Sequence, residues 1–391
     1  MRQRKHVALL VETSNSYSRG LLEGVIAYVR EHESWSIYLP EQRRGERPPA
    51  WLSRWRGDGI IARVENRDIA RAVRSTGAPV VDVSAARMLP DVPWVETDDE
   101  AIAQTAFNHL TERGFRQVAY CGDARFNWSK WRGQHFRRLA EAAGCRLWNY
   151  PRAAGTRAEG SWQCNRRALT AWVQRLPRPI GIMACYDIKA QEVLEVCRDL
   201  GISVPEEVAV LGVDDDHLIC ELCMPPLSSV APDTRRTGYI AADLLDQRMR
   251  GRELSALAHL VKPLGVTTRR STDVFAVDDP DVATALQLIR EYACERIQVA
   301  DIARNVSLSR RVLEVRFVKL LGRTPHEEIQ RVKIDRVKRL LGESGLPLKT
   351  IARRAGFSSE EYMSVAFKRA EGVAPGAYRA GLHVLGGNPG S

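Results

Sequence analysis

Apolar residues fall into two patterns along this chain. Short, mostly apolar runs occur at 7–11 (VALLV), 59–62, 79–83, 118–121, 180–185 and 208–213. They are too short for ordinary helices and read as buried strands. Between them apolar residues recur every three or four positions. In 19–31, Leu21, Leu22, Val25 and Val29 share one face, and similar segments lie near 66–76, 99–113, 129–143, 161–175, 187–200 and 235–250. These read as amphipathic helices. Strands alternating with helices predict an α/β fold with parallel sheets. About 270 residues is large for one such sheet, so two lobes are expected. From residue 281 onward the pattern is helical only.

That last part contains a repeat. VADIARNVSLSRRVLEVRFVKLLGRTP (299–325) overlays LKTIARRAGFSSEEYMSVAFKRAEGVAP (348–375). Ile302, Ala303 and Arg304 match Ile351, Ala352 and Arg353, and Phe317, Gly322 and Pro325 match Phe367, Gly372 and Pro375. Such self-similarity marks two copies of one structural unit. Each copy predicts a helix-turn-helix, with turns at 307–309 and 356–358 and with Ser309 and Ser358 as N-caps. Leu313 and Phe317, or Met363 and Phe367, lie inward at i, i+4, and Gly322 and Gly372 take the C-cap positions. A helix from Pro325 to about Leu341 joins the copies.

Charge sharpens this picture. The chain carries a formal +10, yet 281–391 holds 19 Lys and Arg against 12 Asp and Glu, while the residues before it hold 39 against 36. A local basic excess on helix-turn-helix units predicts double-stranded DNA as partner.

The paired units, the joining helix and the pattern Gly356, Phe357, Phe367, Lys368, Gly372, Pro375, Tyr378, Arg379 resemble the AraC/XylS-type DNA-binding domain over about 105 residues. The resemblance implies two recognition helices in successive major grooves. It carries DNA-facing roles to Ser309, Arg310, Arg311, Glu314, Val315 and Lys319 in the first copy. In the second it carries them to Ser359, Glu360, Glu361, Ser364, Val365 and Lys368. Arg311 suits guanine O6 and N7, Glu314 suits cytosine N4, and Arg310 and Lys319 suit phosphates. Glu360 and Glu361 depart from a basic footprint, so the second helix is left to cytosine reading or to positioning.

In open α/β sheets ligands bind beyond the carboxyl ends of strands. The polar residues there are Glu12 to Tyr17, Arg63, Asp82, Ser84, Asp98, Asn127 to Arg132, Asp187, and Asp214 with Asp215. Carboxylates and Arg forks suit sugar hydroxyls, and aromatic faces suit sugar C–H surfaces. The expected sugar contacts are Glu12, Tyr17, Ser84, Asp98, Trp128, Arg132, Asp187 and Asp214. Asp214 and Asp215 make a poor acid–base dyad, because consecutive residues at a strand end point apart.

Glu23-Gly24, Gly57 to Ile61, Thr97-Asp98, Ser129 to Arg132, Val204 to Glu206, Gly212 to Asp214 and Leu227 to Val230 resemble the periplasmic-binding-protein-like effector domain of LacI/GalR-type repressors. Sensor first and paired helix-turn-helix units last is similar to the family of bacterial xylose-operon regulators. Tyr17-Ser18-Arg19 and Arg269 to Asp273 match that family as well. The resemblance implies D-xylose or a related monosaccharide as effector, activation of sugar-catabolic genes, a homodimer, and RNA polymerase as a further partner. Glu12 and Ser14 depart from that family's amide-bearing side chains, and the loop 122–127 differs. The expected architecture is thus an α/β two-lobed periplasmic-binding-protein-like sensor domain (1–270), a linker (271–280) and an all-α double helix-turn-helix domain (281–384).

Other classes fit less well. Of eight cysteines, Cys220 and Cys223 form a lone CxxC without the second ligand pair that zinc needs, so the expectation is reduced core thiols and neither metal nor cofactor. No run approaches the roughly 18 apolar residues of a membrane helix. The basic N-terminus has an apolar run of only five residues and no cleavage site, so a cytoplasmic protein is expected. No nucleophile elbow, P-loop or Ser-His-Asp order is visible, so no enzyme is expected. An effector-free architectural DNA binder is the alternative, and the polar strand-end loops argue against it.

Overall fold

Each of the six apolar runs becomes a strand. The computed structural model describes residues 4–32, 34–41, 46–151, 162–273, 279–295 and 297–383. Contacts divide it into two units: Met1–Thr111 with Arg116–Asp273, and Glu112–Phe115 with Val274–Ser391.

Among the described residues the first unit contains twelve strands: β1 (His6–Leu10), β2 (Ser36–Tyr38), β3 (Gly59–Ala62), β4 (Val80–Asp82), β5 (Trp94–Thr97), β6 (Gln117–Cys121), β7 (Arg146–Asn149), β8 (Ile180–Ala184), β9 (Val208–Val213), β10 (Ser228–Ala231), β11 (Ala258–Val261) and β12 (Gly265–Thr267). They form two six-stranded sheets, β11-β5-β4-β3-β1-β2 and β12-β10-β9-β8-β6-β7. Two lobes and parallel pairing therefore match expectation. The exception is β12, which runs antiparallel to β10, with Val230 opposite Val266. The helices are α1 (Ser16–Glu31), α2 (Arg67–Ser75), α3 (Asp99–Thr111), α4 (Asn127–Ala142), α5 (Trp162–Gln174), α6 (Asp187–Asp199), α7 (His217–Leu222) and α8 (Thr234–Met249).

The chain crosses between lobes after β5, after β10 and again before β12, which places the strand-end loops of both sheets around one cleft. The central strands β3, β8 and β9 are buried along their whole length, as expected where helices cover both faces. In the first lobe α1 packs on α8 through glycines. A Cβ at Gly24 would meet the Arg235 carbonyl oxygen, and one at Gly238 the Leu21 carbonyl oxygen, both far inside the 3.0 Å that real Cβ contacts respect. This backbone-on-backbone approach fixes α1, and with it the loop before α1. There Asn15 accepts from Ser18 N at 2.8 Å, so the helix starts three residues earlier than the apolar pattern predicts.

The described residues of the second unit form helices only: α9 (Pro280–Tyr292), α10 (Val299–Asn305), α11 (Arg310–Leu321), α12 (Pro325–Glu343), α13 (Leu348–Arg354), α14 (Glu360–Glu371) and α15 (Pro375–His383). Pro280 opens α9, and Asp279 caps it. Leu313 and Phe317 lie in one core with α9 and α10, and Met363 and Phe367 lie in a second with α12 and α13. Gly322 and Gly372 end their helices in the left-handed conformation, at φ 71° and 77°. Ser309 caps α11 by accepting from Val312 N at 3.3 Å. In the second copy the cap is Ser359, which accepts from Tyr362 N at 3.2 Å, and not Ser358. The extra residue in the second turn moves the cap by one.

Candidate functional site

The cleft of the first unit is lined from both lobes. The first contributes Asn15, Ser16 and Tyr17 before and within α1, Arg63 after β3, Val83 and Ala85 after β4, and Glu96 and Thr97 on β5. The second contributes Asp99 of α3, Trp128 and Arg132 of α4, Tyr186, Asp187 and Ile188 at α6, and Asp214, Asp216 and Ile219 after β9. About 770 Å³ of space, part of it open solvent, lies among these side chains.

Arg132 is 3% exposed. Its Nε donates to Asp99 Oδ1 at 2.7 Å and its Nη1 to the Cys185 carbonyl at 2.7 Å. Its guanidinium lies 4.8 Å from the Trp128 ring centre. Trp128 in turn meets Tyr186 edge-on at 5.6 Å. On the opposite wall Arg63 Nη1 donates to Glu12 at 2.6 Å and to Ser18 Oγ at 3.2 Å. Its buried Nε has no protein acceptor.

Asp187 is held from three sides. Ser229 Oγ donates to its Oδ1 at 2.6 Å, Asp216 N to its Oδ2 at 2.8 Å, and Cys220 Sγ lies 3.5 Å from the same Oδ2. Burial, and then the charge of Asp214, push its pKa well up. A side chain at Gly212 would collide with it.

The structure therefore brings Tyr17, Trp128, Arg132, Asp187 and Asp214 together. It places three other expected contacts behind the wall. Glu12 is 4% exposed and bonds Asn15 and Arg63, both of which line the cleft in its stead. Ser84 closes a turn, with its N donating to Asp82 Oδ1 and its Oγ to the Val64 carbonyl, both at 3.0 Å. Asp98 caps α3, accepting from Ala101 N at 3.0 Å. Its neighbours Thr97 and Asp99 face the cleft. Glu96, Tyr186 and Asp216 were not expected. Among strand-end acids only the local register decides which side chain faces in.

Glu96 also carries a pH signature. Burial pushes its pKa up to about 8, and Asp99 and Asp82 add to the rise, against the pull of Arg87. Arg87 Nη2 is only 2.6 Å away, so desolvation outweighs the ion pair. Folding thus favours the protonated acid. Its stabilisation is complete below about pH 4.5 and is lost as pH rises toward 8. Tryptophan fluorescence isolates this unit within the full chain, because all nine tryptophans precede residue 173. We expect Glu96→Gln to flatten the fall in the urea midpoint between about pH 5.5 and 8.5, an effect on the order of 3 kcal/mol. Parallel pH profiles for mutant and wild type would contradict this.

In the second unit, α11 and α14 present matching faces to solvent. Val315 is 61% exposed and Val365 68%. Beside them stand exposed Arg311 and Lys319 on α11, and exposed Glu361 and Lys368 on α14. Arg310 donates to Glu314 at 2.8 Å along one helical turn. Ser309 and Ser359 spend their hydroxyls on helix caps.

Comparisons with known proteins agree with this division. Residues 6–100 match a model described as the XylR N-terminal domain, 107–272 a periplasmic binding protein-like domain, and 302–381 a helix-turn-helix domain. The chain is 34% identical over 385 residues to the xylose operon regulatory protein of Escherichia coli, covering 96% of this chain and 97% of that one. It is 31% identical to the protein of that name from Haemophilus influenzae, covering 95% and 97%. A solved structure described as the xylose-binding transcription activator xylR aligns over 97% of this chain and 98% of that chain, with a TM-score of 0.62 and 34% identity. A CelR–cellobiose complex shares the first unit's fold, with a TM-score of 0.56 at 24% identity, over 69% of this chain and 86% of that one. No described helix is long and apolar enough to cross a membrane.

Proposed function

This chain belongs to the family of xylose operon regulatory proteins, and from that premise we propose that it is a sugar-responsive activator of carbohydrate-catabolic genes, with D-xylose or a closely related neutral monosaccharide bound in the cleft of the first unit. It acts in the cytoplasm as a homodimer, with double-stranded DNA on the second unit and RNA polymerase as the partner of activation.

The observation that carries the reading is the cleft's chemistry. Two guanidiniums in fixed ion pairs, several carboxylates and the rings of Tyr17, Trp128 and Tyr186 surround one space. Such groups accept and donate to hydroxyls and cover a sugar's C–H face. Charge narrows the class. Even with Glu96 and Asp187 protonated, Asp99, Asp214 and Asp216 outnumber Arg63 and Arg132 on the wall, and a buried charge excess repels like-charged ligands. Calorimetric titration of the full chain with D-xylose, its epimers and D-glucuronate tests this. A neutral pentose should bind at least about 100-fold more tightly than the sugar acid. Preference for the acid would overturn the assignment.

On DNA, Arg311 and Val315 of α11 supply a guanine fork and an apolar contact for a thymine methyl. Glu314 accepts from cytosine N4 once it leaves Arg310, an exposed pair worth only a few tenths of a kcal/mol. Arg310, Lys319 and Lys368 hold phosphates. Ser309 and Ser359 bring helix N-termini to the backbone. Glu360, Glu361, Ser364 and Val365 give α14 a different preference from α11. The joining helix α12 has 19 residues and spans about 28 Å, which suits readers set near one DNA turn of about 34 Å. Arg311→Ala should cost about 1–3 kcal/mol on the preferred site and relax preference at one base. Binding measured on preferred and scrambled duplexes checks this. Equal losses on both would make Arg311 a phosphate contact.

A further inference from the structure

Asp215 lies between two cleft residues yet faces away from the cleft. It and Asp214 adopt φ of 47° and 110°, the left-handed region that side-chain-bearing residues hold only when their surroundings impose it. Here the surroundings are specific. Asp214 N donates to the Val230 carbonyl at 3.0 Å, and Asp216 N to Asp187 Oδ2 at 2.8 Å. Asp215 N donates to Ser229 Oγ at 3.0 Å, and its carboxylate accepts from Thr267 Oγ1 at 2.6 Å and from Arg269 Nη1 at 2.7 Å.

Arg269 is the centre of a second set of bonds. Nη1 also donates to the Leu227 carbonyl at 3.0 Å, Nε to Glu221 at 2.7 Å, and the backbone N to Ser228 Oγ at 2.8 Å. Ser228 Oγ returns a bond to the Arg269 carbonyl at 2.8 Å and accepts from Thr272 Oγ1 at 2.7 Å. Ser271 donates to the Val210 carbonyl at 2.6 Å, and Ser271 and Thr272 are fully buried. Thr272 Oγ1 also lies 2.8 Å from His109 Nε2. His109 stands on α3, whose first residue, Asp99, holds Arg132 in the cleft. The first unit ends one residue later, at Asp273. The segment by which the chain leaves this unit is thus bonded to two elements of the cleft wall.

We propose that Arg269, held through Asp215, is the positioning residue that carries cleft occupancy to the exit segment 269–273. The inference rests on the sugar-effector reading above. A sugar that bonds Asp214 and Asp216 acts on both flanks of Asp215 and turns the peptides that aim its carboxylate. The guanidinium is a rigid planar fork. It cannot follow Asp215 while keeping Leu227 and Glu221, so the exit segment has two bonded arrangements and not a continuum. The effector selects between them by its different contacts in each. Neither Arg269 nor Thr267 lines the cleft, so their loss leaves the sugar contacts in place.

The test uses the full chain, D-xylose, and a duplex enriched from random sequence by the wild-type protein. In wild type, saturating xylose should change DNA affinity by on the order of 10-fold or more. In Arg269→Gln and in the near-isosteric Thr267→Val, that change should fall below about twofold, while the xylose Kd from calorimetry stays within about threefold. Arg269→Lys should recover part of the change, since one ammonium can regain Asp215 but not all three acceptors. A merely structural residue would lower the urea midpoint and leave the xylose-induced change intact. Normal xylose binding with an unchanged DNA response in both Arg269→Gln and Thr267→Val overturns the latch alone. No xylose heat with wild type overturns the effector reading and the latch together.

Discussion

Replacing Arg132 by alanine should abolish sugar binding and lower the stability of the first unit by about 3–5 kcal/mol, because the change leaves the buried Asp99 carboxylate without its partner. Asp99 is 8% exposed, and its pKa is already raised by burial against the pull of Arg132. The same change frees the Cys185 carbonyl and removes the cation above Trp128. Urea unfolding followed by tryptophan fluorescence reads the stability, since every tryptophan lies in this unit. Arg132→Lys separates folding from recognition. It keeps the charge near Asp99 but loses the two-directional fork. It should fold with less than half the alanine penalty, yet bind sugar at least about 30-fold more weakly. A lysine variant with wild-type affinity would remove Arg132 from the contacts.

Gly24→Ala and Gly238→Ala should each destabilise the first unit by about 3 kcal/mol, at the upper end of overpacking penalties. The added methyl meets a backbone carbonyl of the facing helix in both cases. A carbonyl cannot rotate aside as a side chain can, so α1 and α8 must part. Because Asn15 caps α1 and Tyr17 lies in its first turn, parting the helices also shifts both at the cleft. Sugar affinity should therefore fall with the urea midpoint in both variants. Gly144→Ala is the contrast: no atom lies within 4 Å of a Cβ there, so its penalty is limited to the strained backbone at φ 64°. Equal midpoints for Gly24→Ala, Gly238→Ala and wild type would contradict the close-packed pair.

How legible this architecture is in the sequence depends on burial. The central strands announce themselves because helices cover both faces, so their residues are apolar without alternation. The short strands β2, β7, β11 and β12 leave no such trace. β7 reads RLWN and β12 reads GVT, each with no fully buried residue, and backbone pairing holds them where side-chain pattern cannot. β5 was also hidden, since Glu96 and Thr97 break its apolar run for the sake of the cleft. The duplicated helical units were legible almost residue by residue, because a repeat lets one copy check the other. The single slip, Ser358 for Ser359, falls where the copies differ in length. The rule that ligands sit beyond strand ends picks out loops that line the cleft but not always the side chains that face it. Asp98 and Asp99 adjoin, and helix geometry makes the first a cap and the second a wall. The pair Asp214 and Asp215 followed the expected divergence, the first into the cleft and the second toward Arg269.

In the proposed mechanism a small neutral sugar held by the first unit alters the second unit's hold on DNA. Fluorescence anisotropy of the full chain on its selected duplex, measured at fixed salt with and without saturating D-xylose, tests it directly. The expected result is a change in Kd of on the order of 10-fold or more with D-xylose and none with D-glucuronate. Identical DNA affinity in the presence and absence of every pentose, from protein that binds the duplex normally, would contradict it.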